Sequence, residues 1–214
     1  MKCPRPTPIF RLLHIESLET IVRRGALHAP NCAPNDGLPF RSIHRPNVQQ
    51  NRRPLTVPCG RGGFVGDYAS FYLGPRSVML LNLKTGRVPG YTEGQEPLVY
   101  LVSTVEAVVG AGQQYAFTDR HSLAAYVKWT SVLGDLDGLD WATIYANTWN
   151  RTLADPERQN RKQAEFLVHG QVAWGLFHEI AVVNPTAEAR VRALLAKYRD
   201  LNHPAVVVRP AWYY

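Results

Sequence analysis

Apolar and polar positions along this chain change period often, and each change marks a short element. Residues 9–15 form an apolar run interrupted only by Arg11 and His14, which reads as a strand. Ile15, Leu18, Ile21 and Val22 then recur at helical spacing. Ser17 is placed to cap that helix, Arg23 and Arg24 suit its negative end, and Gly25 marks its stop. Residues 30–39 are rich in Asn, Pro, Asp and Gly and read as a loop. A short helix is predicted over 46–53, stopped by Pro54. Four glycines within 60–66 make a flexible loop or tight turn. They lack the strand-then-helix context and the Lys-Ser/Thr pair of a P-loop, so that reading is rejected.

Residues 67–73 and 78–83 read as strand or turn segments around Pro75, 98–103 as a strand, 104–109 as a short helix ended by Gly110 and Gly112, and 115–118 as a strand. Leu123, Tyr126, Val127, Thr130 and Leu133 trace a helical face. An acidic turn follows over 134–140, then a second helical piece from Trp141, then a charged loop over 155–162. Residues 163–169 and 180–183 read as strands joined by a turn over 170–179 with a short helical piece. Asn184 and Pro185 start a helix whose core face is Val191, Leu194, Leu195 and Tyr198. Residues 205–209 form a last strand. With no internal repeat and no linker, 214 residues fit one α+β domain, 1–214.

Charge adds a partner to this picture. The net charge is +7, and residues 37–92 carry all of the excess: eight basic side chains (Arg41, Arg45, Arg52, Arg53, Arg61, Arg76, Lys84 and Arg87) against one carboxylate, Asp67. Such a stretch is either the footprint of a polyanion or a solvated basic surface, and charge alone gives the two equal weight. No apolar run is long enough for a membrane span, and residues 1–8, with three prolines, do not read as a signal peptide, so a cytoplasmic protein is expected. Cys3, Cys32 and Cys59 are scattered, and with the seven histidines they show no metal-ligand spacing. Reduced thiols and no metal site are the expectation.

Six segments together carry a further reading. They are Pro8-Ile-Phe-Arg-Leu-Leu-His14-Ile with its helix and Gly25; Gly66-Asp-Tyr-Ala-Ser-Phe-Tyr-Leu-Gly-Pro-Arg-Ser-Val-Met79-Leu; Gly94-Gln-Glu-Pro-Leu-Val-Tyr-Leu-Val-Ser103; Thr118-Asp-Arg-His121; Arg161-Lys-Gln-Ala-Glu-Phe-Leu-Val168; and Trp212-Tyr-Tyr214. In this order they resemble the blocks of the DarT family of DNA ADP-ribosyltransferases. The resemblance implies an α+β, ADP-ribosyltransferase-like split β-sheet core with short flanking helices. It implies NAD⁺ as co-substrate and transfer of ADP-ribose to a base of single-stranded DNA, thymine first and guanine second. It also implies a toxin restrained by a macrodomain antitoxin of the DarG type.

By the same resemblance Glu165 is the catalytic glutamate. A carboxylate can hydrogen-bond a ribose 2′-hydroxyl and stabilise the positive charge left as nicotinamide departs, as carboxylates do in glycosidases. Arg52 matches the family's second catalytic residue, with Arg53 beside it one register away and itself a candidate DNA contact. A guanidinium can steady the anion formed when a base nitrogen loses its proton. The first strand carries cofactor contacts: Arg11 stands where the family commonly has histidine, and suits a pyrophosphate or ribose. His14 matches a second histidine and fits a structural hydrogen-bonding role equally well. Tyr72 is the better candidate to stack on nicotinamide; Phe71 fits that role or core packing. Arg120 and His121, from the segment before Glu165 that selects substrate in this superfamily, are expected to contact DNA. The alternatives are transfer to RNA or protein, and a non-catalytic nucleic-acid-binding module.

Overall fold

The computed structural model describes the backbone of residues 1–214 and every side chain except that at position 46. The elements are β1 (Pro8–His14), α1 (Glu16–Arg24), β2 (Ala26–His28), α2 (Pro46–Arg52), β3 (Tyr68–Tyr72), α3 (Val78–Lys84), β4 (Leu98–Thr104), α4 (Val105–Gly110), β5 (Tyr115–Thr118), β6 (Trp129–Thr130), α5 (Trp141–Ile144), α6 (Arg158–Arg161), β7 (Glu165–His169), β8 (Gln171–Ala173), β9 (Glu179–Val182), α7 (Pro185–Leu195) and β10 (Ala205–Val208). Eight strands make one mixed sheet in the order β10-β9-β4-β1-β3-β7-β5-β6, while β2 and β8 pair separately. Only β10 and β9 run parallel among its named pairs.

The centre of this sheet is nearly parted. β1 pairs with β4 along its whole length, from Pro8↔Thr104 to His14↔Leu98, but meets β3 at one rung, Phe10↔Tyr72. This is the split core expected from the sequence, and Arg11 shows why the sheet opens there. Alternation sends Ile9 and Leu13 into the larger core and Phe10 and Leu12 into a second core. Arg11 holds the position between Ile9 and Leu13, where a charged head group has no place in apolar packing. Its guanidinium instead crosses the split, and Nη1 donates to the Ser70 carbonyl at 2.9 Å.

Around the larger core, α1 supplies Leu18, Ile21 and Val22 and stops at Gly25, whose φ of 65° is the left-handed turn a glycine adopts freely. α7 adds Val191 and Leu195, and Asn184 caps it by accepting from the Ala187 N–H at 2.9 Å. The second core joins Phe10, Leu12, Leu80, Leu83, Tyr100 and Tyr213.

Four expectations are corrected. Residues 78–83 are helical: Ser77 Oγ accepts from the Leu80 N–H at 3.2 Å, and Leu80 and Leu83, one turn apart, bury together. The helical face over 123–133 does not form. Asp119 and Lys128 close a hairpin, with Lys128 N–H donating to Asp119 Oδ1 at 2.9 Å, so 120–127 become an excursion with Leu123 and Tyr126 exposed. Ser17 lies inside α1, not at its cap. Its Oγ accepts from the Arg41 N–H at 3.0 Å and tethers the loop after β2. The loop at 155–162 contains α6. No helix among the described residues is long and apolar enough to cross a membrane.

Candidate active site

Glu165 opens β7, and strand alternation decides where it points. β3 and β7 send Ala69, Phe71, Phe166 and Val168 into the larger core, leaving Ser70, Tyr72 and Glu165 on the opposite face. Tyr72 and Glu165 are partners on the last rung. The Glu165 side chain is only 2% exposed, and every oxygen on it is engaged. Oε1 accepts from the Ser122 N–H at 3.2 Å and lies 3.4 Å from the Ser122 hydroxyl and 3.9 Å from His121 Nε2. Oε2 accepts from Arg52. Arg52 is the last residue of α2, is buried, and also reaches Ser70 Oγ at 3.4 Å.

Above this floor lies a cleft of about 810 Å³, within the range of ligand pockets. Arg11, His44, Arg52 and Ser70 line its inner end, and the same four enclose a small recess with Tyr72 and Glu165. Arg53 and Phe64 belong to its wider lining. Burial and the neighbouring Arg52 push the Arg11 guanidinium down to about 10, still fully charged at neutral pH. Burial and then the two guanidiniums push His44 down to about 3, so its imidazole is neutral. Burial and the Glu165 carboxylate push the Tyr72 phenol up to about 12. His121 is held low chiefly by burial, with Glu165 opposing. The floor therefore presents two cations, one carboxylate and the neutral imidazole of His44. The Nε atoms of Arg11 and Arg52 are buried without a partner. Donors left free in this way suit an acceptor-rich ligand such as a dinucleotide pyrophosphate.

The structure thus brings together Arg11, Arg52, Tyr72 and Glu165, with His121 3.9 Å from Glu165 and Arg53 on the cleft wall bonded to Asn31. It separates others. Phe71 borders the small recess, but its ring lies on the opposite face, packed against Phe177 at 6.3 Å between centroids. His14, at the far end of β1, lines neither cavity; its Nδ1 accepts from the Glu16 N–H at 3.2 Å and its Nε2 lies 3.4 Å from Glu93. Arg120 is clamped between Asp119 at 3.0 Å and Glu157 at 3.2 Å. Two residues at the site escaped the sequence reading, His44 and Ser122. Ser122 directly follows the Thr118–His121 block, a signal that was there to use; His44 has none.

Chemistry that parts a leaving group from a ribose carbon needs a fixed carboxylate against the sugar and cations for the phosphates. Joined to a sheet split at its centre, that arrangement defines an NAD-dependent ADP-ribosyltransferase. The family model for "ssDNA thymidine ADP-ribosyltransferase, DarT" matches residues 10–214. A DNA ADP-ribosyl transferase of Thermus sp. strain 2.9 is 40% identical over 212 residues, covering 99% of this chain and 98% of that protein. The Thermus sp. 2.9 DarT solved with ADP-ribosylated ssDNA superposes with a TM-score of 0.92 at 38% identity, over 100% of both chains. The same enzyme solved with NAD⁺ gives 0.88 at 38% identity, over 99% of both. The chain belongs to the DarT family of DNA ADP-ribosyltransferases, toxin enzymes with NAD⁺ as co-substrate.

Proposed function

We propose that this chain moves ADP-ribose from NAD⁺ to a thymine of single-stranded DNA, with guanine the second acceptor, and that Glu165 and Arg52 are its catalytic pair. The observation that carries this is their contact on the cleft floor, made between residues 113 apart in sequence. In the transfer, the bond between ribose C1′ and the nicotinamide nitrogen breaks and its electron pair leaves with nicotinamide. A ring nitrogen of the base supplies the pair for the new bond to C1′, and its proton passes through Glu165 to water. Glu165 accepts from the ribose 2′-hydroxyl and offsets the charge growing on the sugar. Arg52, released from Glu165, steadies the base anion.

Arg11 holds the pyrophosphate or ribose, and Tyr72 packs on nicotinamide. Arg53 and His121 meet the strand that brings the base. Arg120 takes part through its hold on the loop before Glu165. The Thermus sp. 2.9 relative has been solved with NAD⁺ and with ADP-ribosylated ssDNA, in keeping with both halves of the reaction. The remaining partner is a macrodomain antitoxin that binds the enzyme or removes its mark, and the setting is the cytoplasm.

The test is mass spectrometry of mixed-sequence single-stranded oligonucleotides incubated with the protein and NAD⁺. A gain of one ADP-ribose, absent with Glu165→Ala, is expected, and fragmentation names the base. A gain on RNA or protein alone would move the acceptor. No NAD⁺ consumption with any acceptor would leave a binding module.

A further inference from the structure

Beyond the last rung of the β3–β7 ladder the two chains carry charge outward together. Leu73 N–H donates to the Ala164 carbonyl at 3.1 Å, one step past Tyr72 and Glu165. From there one chain runs to Gly74, Pro75 and Arg76, the other to Lys162 and Arg161. The end of α5 and the residues just after it pack on both. A Cβ added at Gly74 would come within 2.5 Å of the Ile144 carbonyl oxygen, and Lys162 Nζ donates to the carbonyls of Ile144 at 2.6 Å and Ala146 at 3.1 Å. These segments form one shelf at the edge where Glu165 stands.

The other cations nearby are occupied. Arg161 pairs with Asp140 at 2.9 Å and Asp155 at 2.6 Å. Arg158 donates to the Thr148 carbonyl at 3.2 Å, and Arg120 pairs with Asp119 and Glu157. Arg76 differs. Among the described residues no carboxylate lies within ion-pair distance of it, and its Nε is buried without a partner. It also sits at φ 53°, the left-handed region that disfavours any side chain and that persists where surrounding structure enforces it. What enforces it is visible: the guanidinium carbon lies 4.4 Å from the centre of the Tyr214 ring, and the Tyr214 hydroxyl donates to the Arg76 carbonyl at 2.7 Å. Trp149 Nε1 holds that hydroxyl in turn at 2.9 Å. Burial, and next the charge of Arg76, push the Lys162 ammonium down to about 7.

We propose that Arg76 binds a phosphate of the single-stranded DNA, gripping the backbone beside the nucleotide presented to Glu165. The assignment rests on the DNA-modifying reading above. A planar, half-buried fork, oriented before any ligand arrives and with no acid of its own, matches a phosphodiester in geometry and charge. A base delivered to this edge brings its flanking phosphates to the shelf.

Arg76→Gly is the informative variant, because glycine adopts φ 53° freely and the fold keeps its turn. Binding of a fluorescent single-stranded oligonucleotide is measured across a salt series, with NAD⁺ binding followed by thermal shift. Expected are a roughly tenfold weaker DNA affinity and a salt slope smaller by about 0.7, the share of one phosphate on a single strand, with NAD⁺ binding unchanged. Arg76→Lys should restore the slope but only part of the affinity. Replacing single phosphates by neutral methylphosphonates should weaken wild-type binding at one linkage near the modified base, and Arg76→Gly should be blind to that linkage. Unchanged affinity and slope, or a parallel loss of NAD⁺ binding, would overturn the assignment while a wild type that still modifies DNA keeps the broader reading. A wild type that binds no single-stranded DNA would overturn both.

Discussion

Glu165 is a buried carboxylate whose oxygens are already satisfied by Arg52 and Ser122, so substrate must displace partners to reach it. Glu165→Gln keeps the shape but leaves one acceptor oxygen where two stood, and removes the charge. Transfer should fall by at least about 10²–10³-fold in kcat, with NAD⁺ affinity held within a few-fold, as titration calorimetry would read. Loss of NAD⁺ binding together with activity would make Glu165 structural. Glu165→Ala should also melt earlier than Glu165→Gln, because it strands the Arg52 charge in a buried site. His44 gives a second test. Its folded-state pKa is depressed below the unfolded value of about 6.5, so the unfolded chain takes up the proton more readily. Stability tied to this residue is present above about pH 6.5 and is lost as pH falls toward about 3. His44→Gln should flatten that acid limb in urea melts at stepped pH; an unchanged limb would mean the ring is not held between Arg11 and Arg52. Glu165 was legible because a short apolar strand carries it inside a recognisable block. His44 was not, because its place depends on the chain after β2 folding back over β1, and nothing in Ser42-Ile43-His44-Arg45 announces that. Arg11 and His14 were both candidates on one strand; Arg11 lines the cleft, and His14, three residues on, lines neither cavity.

At the scale of elements, most strands and α1, α4 and α7 could be read because their ends carry caps and breakers. Residues 78–83 were misread since a short apolar run has no period to distinguish strand from helix. Ser77 was the signal that settles it. Ser77→Ala should cost about 1 kcal/mol and lower Tm by roughly 2–4 °C, and a calorimetric scan finding no change would show that the second core alone holds α3. The false helix over 123–133 has another cause. Its apolar spacing is real, but the hairpin closed by Asp119 and Lys128 leaves Leu123 39% and Tyr126 90% exposed, next to the loop that touches Glu165. A sequence cannot reveal that a side chain is displayed and not packed.

Across the whole molecule, the basic stretch at 37–92 turns out to be spent in several ways. Arg41 pairs with Glu16 and Glu93, Arg52 with Glu165, and Arg45 donates to the Arg87 carbonyl, while Arg61, Lys84 and Arg87 stay exposed. The charge count therefore overstated the polyanion footprint and concealed a cation buried on the cleft floor. The sheet explains why a ligand should matter to stability as well as activity. Its two halves share one rung, Phe10↔Tyr72, and the cleft beside it is walled by β1 on one side and by β3 and α2 on the other. A dinucleotide held by Arg11 on β1 and packed on Tyr72 of β3 would tie those walls together in the folded state only. At a hundred times its Kd, NAD⁺ should add about 2.7 kcal/mol and raise Tm by roughly 5–10 °C. Arg11→Ala removes a side chain that already bridges the split, so the shift at the same NAD⁺ concentration should shrink to a few degrees. If Arg11→Ala instead kept the full shift, cofactor binding would rest on the α2 side of the cleft, and the arginine on β1 would serve only to hold the parted strands in register.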